Sequence, residues 1–510
     1  MQNGLAHPAT PVYTAITFHH VLNSSENTMS KTWSPLQTAI FNLIEDPNGG
    51  NAIIEAVAGS GKTTTIVEGV KRARGTTIFL AFNKSIAEEL KSRGVNARTF
   101  HSLTYGPVTQ HKGVRTVETD KLRRLCDAKL KGGEAQIYGA FIAKLVGLGR
   151  QAGIGCLIPD VTQSWLDLCI HHDLEPENDN ADLGRALELA SELLGWSNAA
   201  PMVDFDDLLY LAVKDGISLP KFDFIFVDEA QDTNAIQRAL LRKIMKKTSR
   251  VVAVGDPAQA IYGFRGADSE SMNLIAEEFD CKRLPLSISY RCATSVVKYA
   301  QQWVSHIQAA EGAAEGLVEE LGSKWDHKMF QANDLVVSRK TAPLITMAYS
   351  FLRARVPVTV MGREIGQGLK GLINKMNAKG VDHLLTKLDA YRDREVEKAL
   401  AKKDDAKVEA IEDRIGAITC LIDSMPETER TIPALLNTID SLFADKKNAV
   451  VLATIHKSKG LEADRVFWLG RNECPAKWAR QDWQKQQEIN LCYVAATRAK
   501  QALYTIEARA

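Results

Sequence analysis

The sequence predicts two doubly wound α/β domains, each built on a parallel sheet and each carrying a helical insertion. Two observations lead to this fold class. Short runs of apolar and β-branched residues, each followed by turn residues and a helix-like pattern, recur along the 510 residues. Such runs are typical of strands buried on both faces of a parallel sheet. Two long segments between them have helical periodicity instead, and a chain of this length is expected to form about three or four domains.

The predicted strands fall into two groups, one for each α/β domain. The strands of the first group are Asn51–Val57, Thr77–Phe82, Phe224–Val227 and Val251–Val254. The strands of the second group are Leu335–Ser338, Val450–Thr454, Arg465–Leu469 and Ala502–Ile506. From these groups we expect a first α/β domain over residues 31–104 and 201–288, and a second over residues 289–364 and 446–510.

The two segments without strand signals, residues 105–200 and 365–445, are predicted to be helical insertions. Trp165 and Trp196 are the candidate core anchors of the first insertion. The second is short and rich in charge, and one of its helices carries apolar residues at 3-4-3-4 spacing, which predicts a packing seam. The residues of this seam are Val408, Ile411, Ile415, Ile418 and Ile422. Residues 1–30 lack periodicity and predict a flexible N-terminal arm.

Composition limits the class of protein. Lys and Arg total 63 against 62 for Asp and Glu, so the net charge is +1 and any basic nucleic-acid path must be local. No C-x-x-C pair occurs among the eight cysteines, which predicts free thiols rather than a zinc or iron–sulfur centre. Neither a membrane span nor a secretion signal is visible. We therefore expect an intracellular protein without a membrane partner, cytoplasmic in a bacterial or phage-infected cell or nuclear in a eukaryote.

A glycine-rich segment directly after the first predicted strand carries the strongest chemical signal. It reads Ala56-Val57-Ala58-Gly59-Ser60-Gly61-Lys62-Thr63. A glycine turn that opens a helix aims backbone N–H groups at one point, where the helix dipole favours an anion. Lys62 is then expected to reach the β and γ phosphates of a nucleotide, and the Thr63 hydroxyl to hold Mg²⁺. The alternative is a glycine turn with a surface lysine, which the strand before it and the helix after it disfavour.

A second signal lies where the strand Phe224–Val227 ends in Asp228 and Glu229. An aspartate at the carboxyl edge of a sheet can hold Mg²⁺, and a following glutamate can polarise an attacking water. The alternative is an acidic helix cap, with Asp232 as the capping residue. Together with the phosphate loop, the acidic pair predicts a nucleotide hydrolase site that uses Mg²⁺.

Further motifs follow along the chain. They are Pro35-Leu36-Gln37, Ala81-Phe82-Asn83-Lys84, Thr99-Phe100-His101-Ser102, Asp204–Leu209, Gly255–Ala267, Ser289-Tyr290-Arg291, Thr454–Glu462 and Tyr493–Ala499. With these motifs in this order, the chain resembles a superfamily 1 DNA helicase of the UvrD/Rep type. The wording of the second and third motifs resembles the F-box-helicase branch. The resemblance implies two RecA-like P-loop NTPase domains with accessory insertions.

The resemblance also implies roles for individual residues. Those expected to act in hydrolysis are Lys62, Asp228, Glu229, Gln259, Arg291 and Arg498, with Thr63 and Asp228 as the metal ligands. Those expected to bind the nucleotide are Gln37, Ala58, Gly59, Ser60, Gly61, Lys62, Thr63, Thr64, Tyr290 and Glu462. Hydrolysis needs positive charge on the transferring phosphate, often supplied from another domain, so ATP is expected in a cleft between the two sheets.

Binding of single-stranded DNA needs aromatic platforms beside groups that follow the backbone. The candidate DNA-binding residues are Phe82, Asn83, Lys84, Phe100, His101, Tyr262, Phe264, Arg265, His456 and Lys457. Core packing is the alternative role for Phe82 and Phe100.

These inferences predict an ATP-dependent helicase or translocase. The resemblance implies 3′→5′ movement on single-stranded DNA, with tailed duplex as a second partner. One alternative is a translocase that displaces proteins without much unwinding. The other is a DNA-sensing ATPase subunit that controls a partner nuclease, and a replication or repair factor is a further possible protein partner.

Overall fold

The computed structural model describes residues 32–176, 178, 180–263, 266, 270–402 and 404–507. The predicted N-terminal arm, residues 1–30, lies outside the described residues. The strands are β1 Asn51–Ala56, β2 Thr77–Leu80, β3 Ala97–Arg98, β4 Phe222–Val227, β5 Met245–Gly255, β6 Cys281–Leu286, β7 Ile288–Ser289, β8 Gln308–Ala309, β9 Leu317–Gly322, β10 Leu335–Ser338, β11 Val358–Val360, β12 Val450–Thr454, β13 Ala463–Leu469 and β14 Ala499–Ile506.

The α-helices are interleaved with these strands. They are α1 Pro35–Glu45, α2 Lys62–Arg72, α3 Lys84–Ser92, α4 Phe100–Lys112, α5 Lys121–Lys129, α6 Glu134–Ala152, α7 Thr162–His172, α8 Leu183–Ala199, α9 Phe205–Lys214, α10 Ala235–Lys243, α11 Ser271–Glu278, α12 Thr294–Ala300, α13 Ala342–Arg353, α14 Arg363–Lys375, α15 Val381–Ala401, α16 Asp405–Ser424, α17 Ile432–Leu442, α18 Ile455–Ser458 and α19 Asp482–Ala496. None of the described helices has the length and hydropathy of a membrane span.

Two parallel sheets confirm the predicted fold class. The first has the strand order β3-β2-β4-β5-β1-β6, and the second has the order β11-β12-β10-β13-β14-β9. Each predicted strand overlaps a strand of the expected sheet. In the first sheet β1 lies between β5 and β6, which are both distant from it in the chain. The loop that follows β1 therefore leaves the carboxyl edge of the sheet beside the ends of β5 and β6. That edge is where open α/β sheets bind their ligands.

The four strands that sequence patterning missed in these sheets are all edge strands. They are β3 and β6 in the first sheet, and β9 and β11 in the second. An edge strand is open on one side, so it tolerates charged residues and proline where a central strand does not. For example, β6 contains Lys282, Arg283 and Pro285, and β9 contains Glu319 and Glu320. Such residues interrupt the apolar run by which a buried strand is recognised.

Each face of the first sheet packs in its own apolar cluster. Successive side chains of a strand point to opposite faces, so one strand contributes to both clusters. Ile54 and Phe79 pack on the face covered by α1 to α3, whereas Ile53 and Ile78 pack on the other. This second face shares one apolar cluster with helices α5 to α8 of the first insertion. Trp165 is fully buried in that cluster, which confirms it as a core anchor, and Trp196 packs against the cluster while partly buried.

The second insertion packs on the second sheet in the same way. Helix α16 runs against α13 and α15. Of the predicted seam on α16, the residues Ile415, Ile418 and Ile422 are buried in a shared cluster with α13 and the sheet, and Ile411 packs at its border. The prediction of a packing seam is therefore confirmed for this part of the helix.

A further apolar cluster joins the two α/β domains. It combines Val57 and Ala58 of the phosphate loop and Ile261 from the first domain with residues such as Val494 and Trp468 of the second. The start of the phosphate loop is thus packed against the second domain.

Candidate functional site

The phosphate loop lies between β1 and α2, and its two glycines adopt conformations that other residues rarely take. Gly59 has φ +72° and Gly61 has φ +76°. A Cβ built on Gly59 would lie 2.4 Å from the Cβ of Arg291 in the second domain. Gly61 is the N-cap residue of α2 and offers no side chain to its first N–H groups. The helix N-terminus is therefore left as a concave anion site.

Lys62 begins α2 and faces the acidic pair at the end of β4. Its Nζ lies 3.3 Å from Glu229 Oε1. Burial disfavours the charged ammonium, but the carboxylates of Glu229, Asp256 and Asp228 outweigh that effect and hold the pKa of Lys62 above its usual value. The predicted phosphate-binding lysine and the predicted acidic pair therefore meet in one buried group.

The pKa values of the two carboxyl groups of the acidic pair shift in opposite directions. Burial, followed by the neighbouring charge of Glu229, raises the pKa of Asp228 to about 7. Burial also opposes ionisation of Glu229, but the attraction of Lys62 and Lys459 outweighs it and lowers the pKa of Glu229. Glu229 is thus an ionised carboxylate suited to accept a proton, whereas Asp228 needs a further cation before it ionises readily.

The oxygen atoms around this pair fit a nucleotide phosphate with Mg²⁺. Ser60 Oγ and Asp228 Oδ2 are buried and have no hydrogen-bond partner within the described ranges. The Thr63 side chain lies near enough to the Asp228 carboxyl group to lower its pKa. Hydroxyl and carboxylate oxygens are the ligands that Mg²⁺ prefers, so Thr63 and Asp228 are suitably placed to hold the ion together.

Two arginines of the second domain lie near the phosphate loop. Arg291 Nε lies 2.7 Å from Glu462, and Arg291 Nη1 donates to the carbonyl of Thr497. Arg498 is buried and donates to the carbonyl oxygens of Val494 and Leu461. Burial, followed by repulsion from Arg291, lowers the pKa of Arg498 to about 10. The cleft therefore has a cationic wall opposite the loop.

Other predicted nucleotide-binding residues border the same cleft. The ring of Tyr290 is half exposed, and its backbone N–H donates to the carbonyl of Gly59 over 2.9 Å. The side-chain oxygen of Gln37 accepts a hydrogen bond from the N–H of Ser34, the N-cap residue of α1, and its Nε2 donates to Thr65 Oγ1 over 2.9 Å. Glu462 is held between Arg291 and Lys500, which outweigh its burial and lower its pKa.

Gln259 and Thr64 complete the predicted nucleotide-binding and catalytic set. Gln259 Nε2 donates to Asp256 Oδ2 over 2.6 Å, and the residue is buried just beyond β5. Thr64 is exposed on the first turn of α2.

A pocket of about 160 Å³ lies beside the acidic motif on the first domain. Two aromatic rings face each other in its wall: Phe82 and Tyr262 are parallel to within 5°, with centroids 6.3 Å apart. Phe82 is 46% exposed, so its ring is available to a ligand. His101 also lines the pocket, and burial lowers its pKa, so the ring is neutral at pH 7. Asp232, three residues beyond Glu229, belongs to the same wall.

The remaining predicted DNA-binding residues have other surroundings. Phe100 does not join the pocket, because its side chain is buried in the core of the first domain. Asn83 caps α3 by accepting from the N–H of Ile86, and Lys84 is highly exposed on its first turn. Phe264 and Arg265 lie outside the described residues.

Two predicted residues of the second domain adjoin this region. The carbonyl of His456 accepts a hydrogen bond from the Tyr262 hydroxyl over 3.3 Å. Lys457 forms an ion pair with Glu364 on helix α14.

Three polar residues of the second domain escaped sequence reasoning, although they contact the first domain. The Tyr493 hydroxyl accepts from the N–H of Ala58 over 2.8 Å, and Asn490 Nδ2 donates to the carbonyl of Ala260 over 2.9 Å. Lys459 Nζ lies 2.6 Å from Asp232 Oδ2. Helix α10 is capped by Asn234, so Asp232 forms this ion pair and is not the cap. The available signal was that Lys459 and Tyr493 lie within the motifs Thr454–Glu462 and Tyr493–Ala499, which gave them no role of their own.

Comparison with known proteins agrees with this geometry. Residues 36–280 match the model of the UvrD/REP helicase N-terminal domain, and residues 367–510 match that of the UvrD-like helicase C-terminal domain. The chain belongs to the UvrD/Rep helicase family. The two matched regions include the phosphate loop, the acidic pair and Arg498, which follows helix α19.

Individual relatives are more distant. F-box DNA helicase protein 1 of Schizosaccharomyces pombe is 26% identical over 508 residues, which cover 88% of this chain and 55% of the relative. ATP-dependent DNA helicase PcrA of Staphylococcus epidermidis is 22% identical, covering 60% of this chain and 59% of the relative. PcrA of Staphylococcus aureus is 21% identical, also covering 60% of this chain and 59% of the relative. The chain thus spans somewhat more than half the length of these relatives.

The titration of Asp228 predicts how stability depends on pH. Because the pKa of Asp228 is raised on folding, its contribution to stability is present below pH 4 and is lost as the pH rises through about 7. We expect Asp228→Asn to stabilise the nucleotide-free protein by roughly 1–3 kcal/mol at pH 8, and much less at pH 5. Denaturant unfolding at the two pH values measures this difference. Asp127→Asn, at an exposed carboxylate, serves as the control; an equal shift at both pH values would contradict the prediction.

Proposed function

We propose that this chain is an ATP-dependent DNA helicase or translocase that moves 3′→5′ along single-stranded DNA. The observation that carries the proposal is the parallel pair of Phe82 and Tyr262 beside the buried Lys62–Glu229 group. A base between two rings needs about 7–8 Å at ordinary contact distances. The ring centroids are 6.3 Å apart, so the rings would have to separate before a base could lie between them. Aromatic platforms of this kind bind single strands with little sequence preference.

The nucleotide site has the groups that phosphoryl transfer to water requires. Lys62 provides positive charge on the β and γ phosphates, and Glu229 accepts a proton from the attacking water. Arg291 and Arg498 approach from the second domain and neutralise charge that develops on the transferring phosphate. Thr63 and Asp228 would hold Mg²⁺, which supplies further neutralising charge when it is bound.

The cleft between two domains explains how hydrolysis would produce movement. Lys62 and Glu229 belong to the first domain, whereas both arginines belong to the second domain. ATP would draw the two domains together because each provides part of its site, and hydrolysis would release them. The base pocket is lined by Phe82 and Tyr262 of the first domain, and the Tyr262 hydroxyl donates to the carbonyl of His456 in the second. Its grip on a base would therefore alternate with this motion.

The relatives support DNA as the substrate class, because both the fission-yeast and the staphylococcal proteins are named DNA helicases. The direction of movement rests on family likeness. Directional unwinding tests the function as a whole: with ATP, a duplex with a 3′ single-stranded tail should be unwound and a duplex with a 5′ tail should not. Unwinding of the 5′-tailed duplex alone would reverse the polarity. DNA-stimulated ATPase activity with unwinding of neither duplex would favour the protein-displacing or nuclease-controlling alternatives.

Glu229→Gln tests the proton acceptor. The amide keeps the shape of the side chain but cannot accept the proton, so kcat should fall by roughly 10²- to 10⁴-fold. Affinity for a non-hydrolysable ATP analogue should change by only a few fold. Steady-state ATPase assays and equilibrium titration measure the two quantities, with Glu68→Gln on α2 as the matched control. A normal kcat combined with weak analogue binding would show that Glu229 only shapes the site.

Phe82→Ala tests the base platform. Loss of one stacking ring should weaken binding of a single-stranded oligonucleotide by about 1–3 kcal/mol. Because the ring is 46% exposed, its removal leaves a small cavity at most, and the melting temperature should change little. Fluorescence anisotropy and thermal unfolding measure the two effects, and Tyr105→Ala, an exposed aromatic outside the pocket, is the control. A large loss of stability with unchanged DNA affinity would assign Phe82 to the core.

A further inference from the structure

The polar wall of the base pocket contains a carboxylate that has no part in the nucleotide site. Asp206 lines the pocket together with the rings of Phe82 and Tyr262. It is the second residue of helix α9, and its side chain is 36% exposed, whereas that of the next residue, Asp207, is fully buried. Asp206 therefore presents a charged group that a base bound in the pocket can reach.

A buried cluster of charges leaves this carboxylate incompletely compensated. Arg150 donates to Asp204 and Asp207 over 2.7–3.0 Å, and Lys121 Nζ lies 2.5 Å from Asp207. Asp206 Oδ2 is more distant from Arg150, at 3.5 Å. Within the described ranges the cluster thus sets two cations against three carboxylates, and the carboxylate with the longest ion pair is the one that faces the pocket.

Two carboxylate oxygens of the pocket wall lack a strong hydrogen-bond donor. Asp206 Oδ1 accepts from Gln151 Nε2 over 3.4 Å, which is long for such a bond. Asp232 Oδ1 is buried in the same wall and has no hydrogen-bond partner among the residues that the structure describes. Burial also raises the pKa of Asp206 above its usual value. A ligand that brings an N–H donor would therefore stabilise this wall.

The aromatic part of the pocket holds a base without identifying it, because every base has a face on which a ring can stack. The volume of about 160 Å³ equals that of about five water molecules at roughly 30 Å³ each, which suits a single base. Amide side chains in the wall, such as Gln151 and Gln237, either donate or accept, so they discriminate little. Arg150 is only 1% exposed and offers the base little donor surface. An ionised carboxylate, in contrast, only accepts.

We propose that Asp206 is a specificity-determining residue, through which the pocket prefers a base with an exocyclic amino group to a base with a carbonyl group at the same position. The inference rests on the proposed function and deepens it. Cytosine presents the N4 amino group as a donor, whereas thymine presents the O4 oxygen as an acceptor. Asp206 accepts a hydrogen bond from the amino group and repels the carbonyl oxygen.

The test compares two single strands whose bases have rings of the same size. Short fluorescent oligo-dC and oligo-dU are titrated with the full chain at pH 8, and anisotropy measures their affinities. We expect oligo-dC to bind roughly 5- to 30-fold more tightly, because one hydrogen bond to a charged acceptor is exchanged for a repulsive contact. The concentrations that give half-maximal stimulation of ATP hydrolysis should differ in the same direction. Equal affinities, or tighter binding of oligo-dU, would overturn the proposal.

Asp206→Asn separates the role of the carboxylate from any difference in stacking between the two bases. The amide either donates or accepts, so the ratio of the two affinities should lie within about twofold of 1. Asp127→Asn, at an exposed carboxylate on α5, is the matched control and should keep the wild-type ratio. A wild-type ratio in Asp206→Asn would show that the preference has another origin and would overturn the role of Asp206.

Thermal unfolding of the ligand-free variants identifies a purely structural role. Loss of the ion pair with Arg150 would then lower the melting temperature and leave the ratio of affinities at its wild-type value, which would also contradict the proposal. If Asp206→Asn does not unfold cooperatively, Asp206→Ala, which removes the acceptor altogether, decides by the same ratio.

Failure of the proposed function gives a different result. An unmodified protein that binds neither oligonucleotide and does not hydrolyse ATP would contradict both proposals. An unmodified protein that binds both oligonucleotides equally, with DNA-stimulated hydrolysis of ATP, would contradict only the base preference.

Discussion

Buried negative charge at the carboxyl edge of the first sheet is the constraint on which the site depends. Asp228, Glu229 and Asp256 converge there with little solvent around them. Burying carboxylates is unfavourable unless cations and hydrogen bonds compensate them. Lys62 provides one cation from the phosphate loop, and Lys459 provides another from the second domain. The need to balance this charge therefore ties the loop, the acidic motif and the interdomain contact into one unit.

The same constraint accounts for the way the two domains meet. The backbone of Gly59 approaches Arg291 so closely that no side chain fits between them, and the Tyr493 hydroxyl accepts from the N–H of Ala58. Apolar packing of Val57 and Ile261 with the second domain surrounds these polar contacts. Polar contacts with fixed directions favour one orientation of the domains, whereas apolar packing is non-directional.

The insertions are extensions of the sheets on which they pack. Helices α5 to α8 share one apolar cluster with a face of the first sheet, and α14 to α17 share another with the second. An insertion that shares its core with a sheet moves with that sheet, because separation would expose the common cluster. Within the first insertion, Arg150 also forms buried ion pairs with Asp204 and Asp207 at the start of α9. A shift of either sheet would therefore carry its insertion with it.

The sequence by itself determined the central strands, the phosphate loop, the acidic pair and the order of the motifs, because each depends on residues adjacent in the chain. Apolar runs such as Phe224–Val227 fold as strands wherever both sheet faces are covered. Tertiary structure decided the edge strands, whose composition follows from having one open side. It also decided that Phe82 faces a pocket while Phe100 is buried, since both lie in similar motifs and differ only in what packs against them. The partners of Lys459 and Tyr493 lie more than 190 residues away in the chain. No local pattern specifies such contacts, because they arise only when two separately folded sheets are brought face to face.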